Sequence, residues 1–353
     1  MKILRKILCG SAAVLAVCIA VALLFLKLGA MPVSSVDNAD EKRFEVPAGT
    51  SARKIAKDLK ESGLIRSELI FYLGARFPFF RSVLLGSREP FSLKSGVYKI
   101  SGSMSILQIY RTLSSGQQEF IRVSVPEGLT VSKIALKLEN AGVCEAEDFK
   151  ESCRDASLLE KYHIPAESFE GYLFPDTYFL TPSMSGSAVV SIMADTFFEK
   201  TASVPGLSEL SPEKLNDVVI LASIVEREYR IDEEAPLIAS VFKNRLAHNI
   251  GLYSCATIEY IITEIEGREH PDVITYDDIA IDSPYNTYKW AGLPPGAISN
   301  PGIVALNAAA HPADTNYYYF RIVDSSKGKH VFSKNFSTHI SEGYISNTKK
   351  TGN

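Results

Sequence analysis

The segment that most restricts the fold is Val218–Val225, an apolar run with Ser223 as its one polar side chain, followed at once by Glu226, Arg227, Glu228, Tyr229 and Arg230. No proline or glycine interrupts it. The run is too long and too rich in helix formers for a typical strand, so it predicts a mostly buried helix. Asn216 or Asp217 can cap its start. Glu226 then stands one turn beyond Ala222 and Ser223 and one turn before Tyr229 and Arg230. A carboxyl group leaving an apolar helix is partly desolvated, which raises its pKa and makes it a candidate general acid. Helix pattern alone fits a solvated or ion-paired glutamate at the wet end of a core helix better than a catalytic one. It also does not separate Glu226 from Glu228.

A chain of 353 residues holds two or three domains. The net charge of -4 argues against a nucleic-acid partner, which calls for a basic surface. Lys2, Arg5 and Lys6 precede an uncharged run, Ile7–Leu26. A helix of that length spans a bilayer, and it is longer than the apolar region of a cleaved signal peptide. The reading is a cytoplasmic tail (1–6), a transmembrane anchor (7–28) and a polar linker (29–43), with the remainder on the extracytoplasmic side of the cytoplasmic membrane. A lipoprotein acylated at Cys9 or Cys18 is a lesser alternative. Of the five cysteines, Cys144, Cys153 and Cys255 lie beyond the span. Cys144–Cys153 is a possible bridge, but there is no disulfide framework. No Cys/His cluster has zinc spacing, so neither a metal nor a cofactor is expected.

An internal repeat organises the region after the linker. Val46-Pro47-Ala48-Gly49-Thr50-Ser51 and Val125-Pro126-Glu127-Gly128-Leu129-Thr130 are offset by 79 residues. Lys54, Ile55, Ala56, Leu59 and Gly63 match Lys133, Ile134, Ala135, Leu138 and Gly142 at the same offset, and Glu68 matches Glu147. Each copy reads as strand, glycine turn, amphipathic helix with a terminal glycine, then a second helix start. Leu93–Ile100 supplies a further strand and Met104–Gly116 a further helix. The strand–helix–helix–strand unit at 44–120 resembles a LysM-type (βααβ) module, which binds amino-sugar chains; the bland reading is common scaffolding. The second copy belongs to the next domain, 121–345.

Three later stretches carry chemistry. Phe169–Leu180 (FEGYLFPDTYFL) combines aromatics with Glu170 and Asp176, a composition that suits a sugar groove but more often plain core. Pro236–Ala247 predicts a helix with Asn244 and Arg245 near its end, Arg245 being an ion-pair partner or a group that orients a substrate carboxylate. Ser283–Pro301 (SPYNTYKWAGLPPGAISNP) holds four prolines and two glycines. It predicts a conformationally locked loop that presents Tyr285, Asn286, Thr287, Tyr288 and Trp290. Ile303–Ala310 reads as a short helix, Tyr317–Phe320 as a strand and Gly328–Phe332 as its return.

Together these motifs resemble the YceG-like endolytic murein transglycosylases, membrane-anchored enzymes that cut peptidoglycan glycan strands. The carriers are Glu170–Tyr178 (EGYLFPDTY), Leu221–Glu228 (LASIVERE), Val241–Leu246 (VFKNRL), Ser283–Gly302, Ala308–Pro312 (AAAHP) and His330–Ser333 (HVFS). The resemblance implies an α+β catalytic domain with Glu226, not Glu228, as catalytic acid. The candidate substrate-binding residues are Glu170, Asn244, Arg245, Tyr285, Asn286, Thr287 and Tyr288. It implies cleavage of the MurNAc–GlcNAc β-1,4 bond with formation of 1,6-anhydro ends, and peptidoglycan synthases as possible partners. Its rivals are a non-catalytic wall-binding protein and a hydrolytic muramidase. One departure stands out. Where the family usually has Leu-Gln-Ser-Asp-x-Thr, this chain has Leu252-Tyr253-Ser254-Cys255-Ala256-Thr257.

Overall fold

Each of the two units into which the chain divides, 1–120 and 121–353, contains in succession a strand, a glycine turn and a side-chain-capped helix; in the first unit helical residues 24–30 come before them. The structure is a computed structural model that describes residues 17, 20, 21, 24–34, 41–47, 49–86, 92–116, 120–324 and 328–341. The fold is α+β, with many helices and three small two-stranded sheets among the described residues.

In the first unit β1 (Lys42–Val46) pairs antiparallel with β2 (Gly96–Ile100), placing Phe44 opposite Tyr98. Between them lie α1 (Ala52–Glu61), α2 (Glu68–Arg76) and α3 (Pro78–Leu85). The expected pair of helices is therefore three, because Pro78 starts a further helix where the pre-proline residue Phe77 must be extended. Ser51 Oγ accepts from the N–H of Lys54 and caps α1, whose buried face is Ile55, Ala56 and Leu59. Helix α4 (Ile106–Ser115) follows β2, opens on a capping box between Ser105 and Gln108 and ends at Gly116. Phe71 and Tyr110 stack in the centre of this unit's core, with ring centroids 4.4 Å apart.

The second copy of the repeat reproduces this plan inside the second unit. Strand β3 (Ile121–Ser124) pairs antiparallel with β4 (Thr177–Leu180), and α5 (Val131–Asn140), α6 (Ala146–Ser152) and α7 (Ala156–Lys161) lie between them. Thr130 caps α5 as Ser51 caps α1. The turn glycines Gly49 and Gly128 both adopt positive φ, 76° and 75°. The correspondence thus extends over strand, three helices and return strand, well beyond the matched residues. FEGYLFPDTYFL forms the approach to β4, and Phe169, Tyr172, Leu173, Phe174, Tyr178 and Leu180 are all buried. The plainer alternative, core, is what this aromatic cluster forms.

After β4 come α8 (Gly186–Thr201), α9 (Pro212–Glu228), α10 (Ala235–Ala247), α11 (Cys255–Tyr260), α12 (Tyr276–Ile279) and α13 (Ile303–Ala310). Helix α9 contains the apolar run, with every residue from Val219 to Val225 buried, and it packs against α13 and α10. It begins ahead of the expected caps Asn216 and Asp217. Ser211 accepts from Lys214 N, Pro212 fills the first helical position and Glu213 follows in the first turn. Asn216 instead accepts from the hydroxyl of buried Tyr172 at 3.0 Å. Helix α11 runs into a π-helical turn, Ile261–Ile265. The Ser283–Pro301 loop has no regular element and is pinned by one bridge between Gly251 and Ala291. Strands β5 (Tyr319–Asp324) and β6 (Lys329–Ser333) close the unit as a hairpin.

Most of Ile7–Leu26 lies outside the described residues, and no described helix is long and apolar enough to cross a membrane. Cys144 and Cys153 are buried free thiols and do not form the bridge entertained above. Burial pushes the Cys144 thiol up to about 11, with Asp148, Glu145 and Glu139 adding to the effect.

Gly171, two residues past Phe169, makes the closest approach in this region. Its φ is 92°, and a Cβ there would lie 2.6 Å from Val219 Cγ1 and 2.7 Å from Ala297 Cβ. Gly171→Ala combines backbone strain with overlap, and is expected to lower stability by about 3 kcal/mol. The urea unfolding midpoint of the full chain measures this.

Candidate active site

Glu226 lies in the last turn of α9, where the helix leaves the core. Its carboxylate Oε2 accepts from the backbone N–H of Gly302 at 2.9 Å, and the Tyr229 hydroxyl hydrogen-bonds to the same carboxyl group. The group is half-buried and lines an open cleft of about 590 Å³ with Glu127, Gly128, Tyr229 and Glu259. Burial holds its pKa up at about 7, and the nearby negative charge of Glu127 and Asp232 pushes the same way. The Gly302 and Tyr229 hydrogen bonds only partly offset this. A carboxylic acid with this pKa retains its proton at neutral pH often enough to donate it, and accepts one readily in return.

The 126–130 and 299–302 segments meet beside Glu226, and Asn300 ties them to each other and to the 170–173 turn. Asn300 is fully buried. Its Oδ1 accepts from Gly171 N and Leu173 N, both at 2.9 Å. Its Nδ2 donates to Leu129 O at 3.0 Å and to Glu170 Oε1 at 2.9 Å. Its backbone N–H donates to Leu129 O at 2.8 Å, and its carbonyl accepts from Gly128 N at 2.9 Å. One residue thereby joins the 126–130 turn, the 170–173 turn and the 299–302 segment that delivers Gly302 to Glu226. Ser223, the lone polar residue in the apolar run, fastens the same segment to α9. Its hydroxyl accepts from Ile298 N at 3.0 Å, and its carbonyl accepts from Ser299 Oγ at 3.0 Å.

Two further carboxylates sit in different surroundings. Glu170 is buried and accepts from Val131 N at 3.1 and 3.0 Å and from Asn300, which anchors the start of α5. Burial raises its pKa to about 8 against those donors, with Glu264 adding to the rise. Glu228 accepts from Ser254 Oγ at 2.5 Å, and burial raises its pKa as well. It lines both the Glu226 cleft and the neighbouring cavity that holds Arg245 and His330 of β6, and it makes no contact with Gly302 like that of Glu226.

The remaining candidates are arranged as follows. Asn244 Nδ2 donates to Thr315 O and Tyr317 O, both at 2.9 Å. Arg245 is buried, donates to Tyr318 O at 2.8 Å and Leu252 O at 2.5 Å, and lies between the rings of Tyr253 and Tyr319. Asn286 is fully buried; its amide donates to Ile279 O and Ile281 O and accepts from Tyr288 N, so its polar groups are committed to the loop's own backbone. Thr287 is buried, with its hydroxyl 2.9 Å from Thr257 Oγ1 and accepting from Ser254 N. The side chains of Tyr285 and Tyr288 are not committed in this way. Tyr285 tilts against Tyr260, centroids 5.2 Å apart, in a recess that Glu170 also lines. Tyr288 tilts against Tyr253 at 5.6 Å, and its hydroxyl is 3.1 Å from Cys255 Sγ. Cys255 and Glu226 line the same cleft, so the departure from the family pattern falls on the cleft wall.

Glu127, Tyr229, Asn300 and Gly302 belong to the site and were not singled out by sequence. Glu127 was visible in the repeat, where it replaces Ala48 of the first copy. A Cβ on Gly302 would lie 2.7 Å from Glu127 Cγ, so that glycine lets the two segments close together. Nothing in the sequence separated Asn300 from the other polar residues of its loop.

A half-buried acid with a raised pKa, set in an open cleft, is chemically able to exchange a proton with a ligand there. The chain belongs to the YceG-like family, which it matches over residues 44–342. It is 29% identical over 331 residues to the endolytic murein transglycosylase of Bacillus subtilis, covering 88% of this chain and 86% of that protein. It is 28% identical over 341 residues to the endolytic murein transglycosylase of Streptococcus pneumoniae D39, of which the match spans 58%. The crystal structure of a YceG-like protein from Listeria monocytogenes aligns with a TM-score of 0.56 at 29% identity, covering 86% of this chain and 99% of that one.

Asn300→Leu removes the acceptor of two buried N–H groups and a donor to Glu170. A loss of about 3 kcal/mol in unfolding free energy is expected, against less than 1 kcal/mol for an exposed control such as Lys289→Ala. Denaturant titration of the two variants checks this.

Proposed function

We propose that this chain is a lytic transglycosylase that cleaves the β-1,4 bond between N-acetylmuramic acid and N-acetylglucosamine, cutting within glycan strands and limiting their length. The observation that carries this reading is the Glu226 carboxyl group, held up at about 7 in an open cleft. The family membership and the names of the relatives support it.

In this mechanism Glu226 donates its proton to the glycosidic oxygen as the C1–O bond breaks, and the N-acetylglucosamine side leaves with a new hydroxyl. The muramyl C1 passes through an oxocarbenium-like state. The 6-hydroxyl oxygen of the same sugar then attacks C1, and its proton returns to Glu226. The product is a 1,6-anhydromuramyl end, no water is consumed, and the acid is regenerated. Gly302 N–H and Tyr229 hold the carboxylate while it is ionised. Burial keeps its proton affinity high and Glu127 adds to the effect; as a second carboxylate beside the cleft, Glu127 is the feature that would serve a hydrolytic muramidase.

Tyr285 and Tyr288 offer ring faces for sugar stacking, Asn286 and Thr287 fix the loop that carries them, Glu170 lines the recess of Tyr285, and Asn244 and Arg245 hold the 315–318 segment. The 44–120 unit is read as a LysM-like module that holds the same glycan. The Ile7–Leu26 run is read as a single-pass anchor in the cytoplasmic membrane, with the rest of the chain outside, where synthases of new glycan would be its neighbours.

Glu226→Gln keeps the shape of the site and removes the acid. Release of anhydro ends from purified glycan strands, read by mass spectrometry, is expected to fall at least about a thousandfold. Reducing ends instead of anhydro ends from the unaltered chain would establish the hydrolytic alternative, and near-normal turnover by the variant would remove Glu226 from its role.

The raised pKa also sets two pH dependences. The acid must be protonated, so kcat/KM is expected to fall about tenfold per pH unit above about 7, where Glu226 titrates. A carboxyl whose folded pKa is raised contributes stability at pH below its unfolded value, and that contribution is lost as pH rises through about 7. Glu226→Gln abolishes this loss, so the stability of the variant relative to the parent should rise by roughly 1–3 kcal/mol between pH 4 and pH 8. Thermal or denaturant unfolding at the two pH values measures the difference.

A further inference from the structure

Beside the Glu226 cleft lies a second cavity, of about 530 Å³, and the two share the walls formed by Arg227, Glu228, Arg230 and Cys255. Its other walls carry Arg245, Arg321 and His330. The cation balance is unusual. Arg227 is paired with Glu259 at 2.6 Å and His330 with Glu234 at 2.7 Å. Among the described residues, Arg230, Arg245 and Arg321 have no carboxylate within ion-pair distance. Arg245 is bonded to backbone carbonyls, and the Nε of Arg321 is a buried donor with no acceptor at all. Glu228 is the one carboxylate on the wall, and it already accepts from Ser254. A buried guanidinium donor without an acceptor, as at Arg321, is costly, and a planar carboxylate is the group that matches it.

Aromatic rings frame these cations. Tyr253, in the left-handed region at φ 51°, and Tyr319 place their rings against Arg245 at 5.5 and 5.4 Å. Tyr253 is half-exposed. A ligand entering here meets ring faces together with a net excess of positive charge.

We propose that this cavity is a carboxylate-binding subsite for the peptide that branches from the muramyl sugar held at Glu226, so that the enzyme selects peptide-bearing over bare glycan. The inference rests on the transglycosylase reading. That reading supplies a substrate with an acidic side branch, and the shared wall puts the branch within reach of the cavity. Cys255 marks the boundary: an acidic residue at this position would place a negative charge on the wall common to both cavities, and the thiol leaves the arginines uncompensated.

Calorimetry on the full chain carrying Glu226→Gln, which cannot consume the ligand, tests the proposal with three soluble probes. These are a muramyl peptide with free carboxylates, the same compound with its peptide carboxylates converted to carboxamides, and N-acetylmuramic acid without peptide. The free-acid peptide should bind about tenfold more tightly than the carboxamide, the gain typical of a charge-assisted hydrogen bond. Arg321→Gln should reduce that ratio to near one. Cys255→Asp should do the same, and as the first residue of α11 it tolerates an acid where helices favour one, so it decides the matter if Arg321→Gln fails to fold. Equal binding of acid and carboxamide by the parent overturns the proposal, as does a ratio unchanged in a folded variant. Binding of N-acetylmuramic acid as strong as that of the peptide would place the recognised carboxylate on the sugar's lactyl group and overturn the peptide assignment. None of these readings depends on cleavage, whereas failure of the transglycosylase reading appears as missing anhydro ends from the unaltered chain.

Discussion

The amide of Asn300 holds the site together. A primary amide has one carbonyl and one NH₂ group, and here both are fully used between three chain segments in a place without water access. The geometry of the acid follows from it. If the 126–130 turn moved, Glu127 and Gly128 would leave the side of Glu226. If the 299–302 segment moved, the Gly302 N–H would leave the carboxylate. Glu170 completes the arrangement by bonding both Asn300 and the first N–H of α5, so the buried acid that most resembles a catalytic group by proton affinity acts as a bracket.

Three glutamates with raised pKa values therefore have three different duties, and surroundings rather than proton affinity distinguish them. Glu170 is enclosed by backbone donors, Glu228 stands on the wall between the two cavities and is bound to Ser254, and Glu226 lies in the open cleft beside Glu127 with the Gly302 N–H on its carboxylate. Perturbed pKa values point to candidates, and only access to a ligand selects among them.

Much of this was legible in the sequence. The apolar run required a buried helix ending at Glu226, the 79-residue repeat announced two strand–helix units, and four prolines made the 283–301 segment a fixed loop. What was not legible was long-range. A side chain such as Asn286 looks the same on paper whether it faces a sugar or bonds its own loop, and only the neighbouring carbonyls of Ile279 and Ile281 decide. The start of α9 was misplaced because Asn216 resembles a cap, yet its carbonyl oxygen is held by Tyr172, and the Ser-Pro-Glu signal earlier in the chain prevails. Asn300 and Gly302 lie more than 70 residues from Glu226 in sequence, and no local pattern connects them.

The meeting of Glu226 with Gly302 has one more consequence. Helix α9 ends at this carboxylate and α13 begins there, so the negative pole of one helix dipole and the positive pole of another face the same group. The first favours the protonated acid, the second the ionised base. The Gly302 N–H at the start of α13 supports the ionised form together with Tyr229, against the burial that favours the acid. A carboxyl group placed between opposed dipoles is thus suited both to giving up a proton and to recovering it, with backbone adding to what the neighbouring carboxylates do.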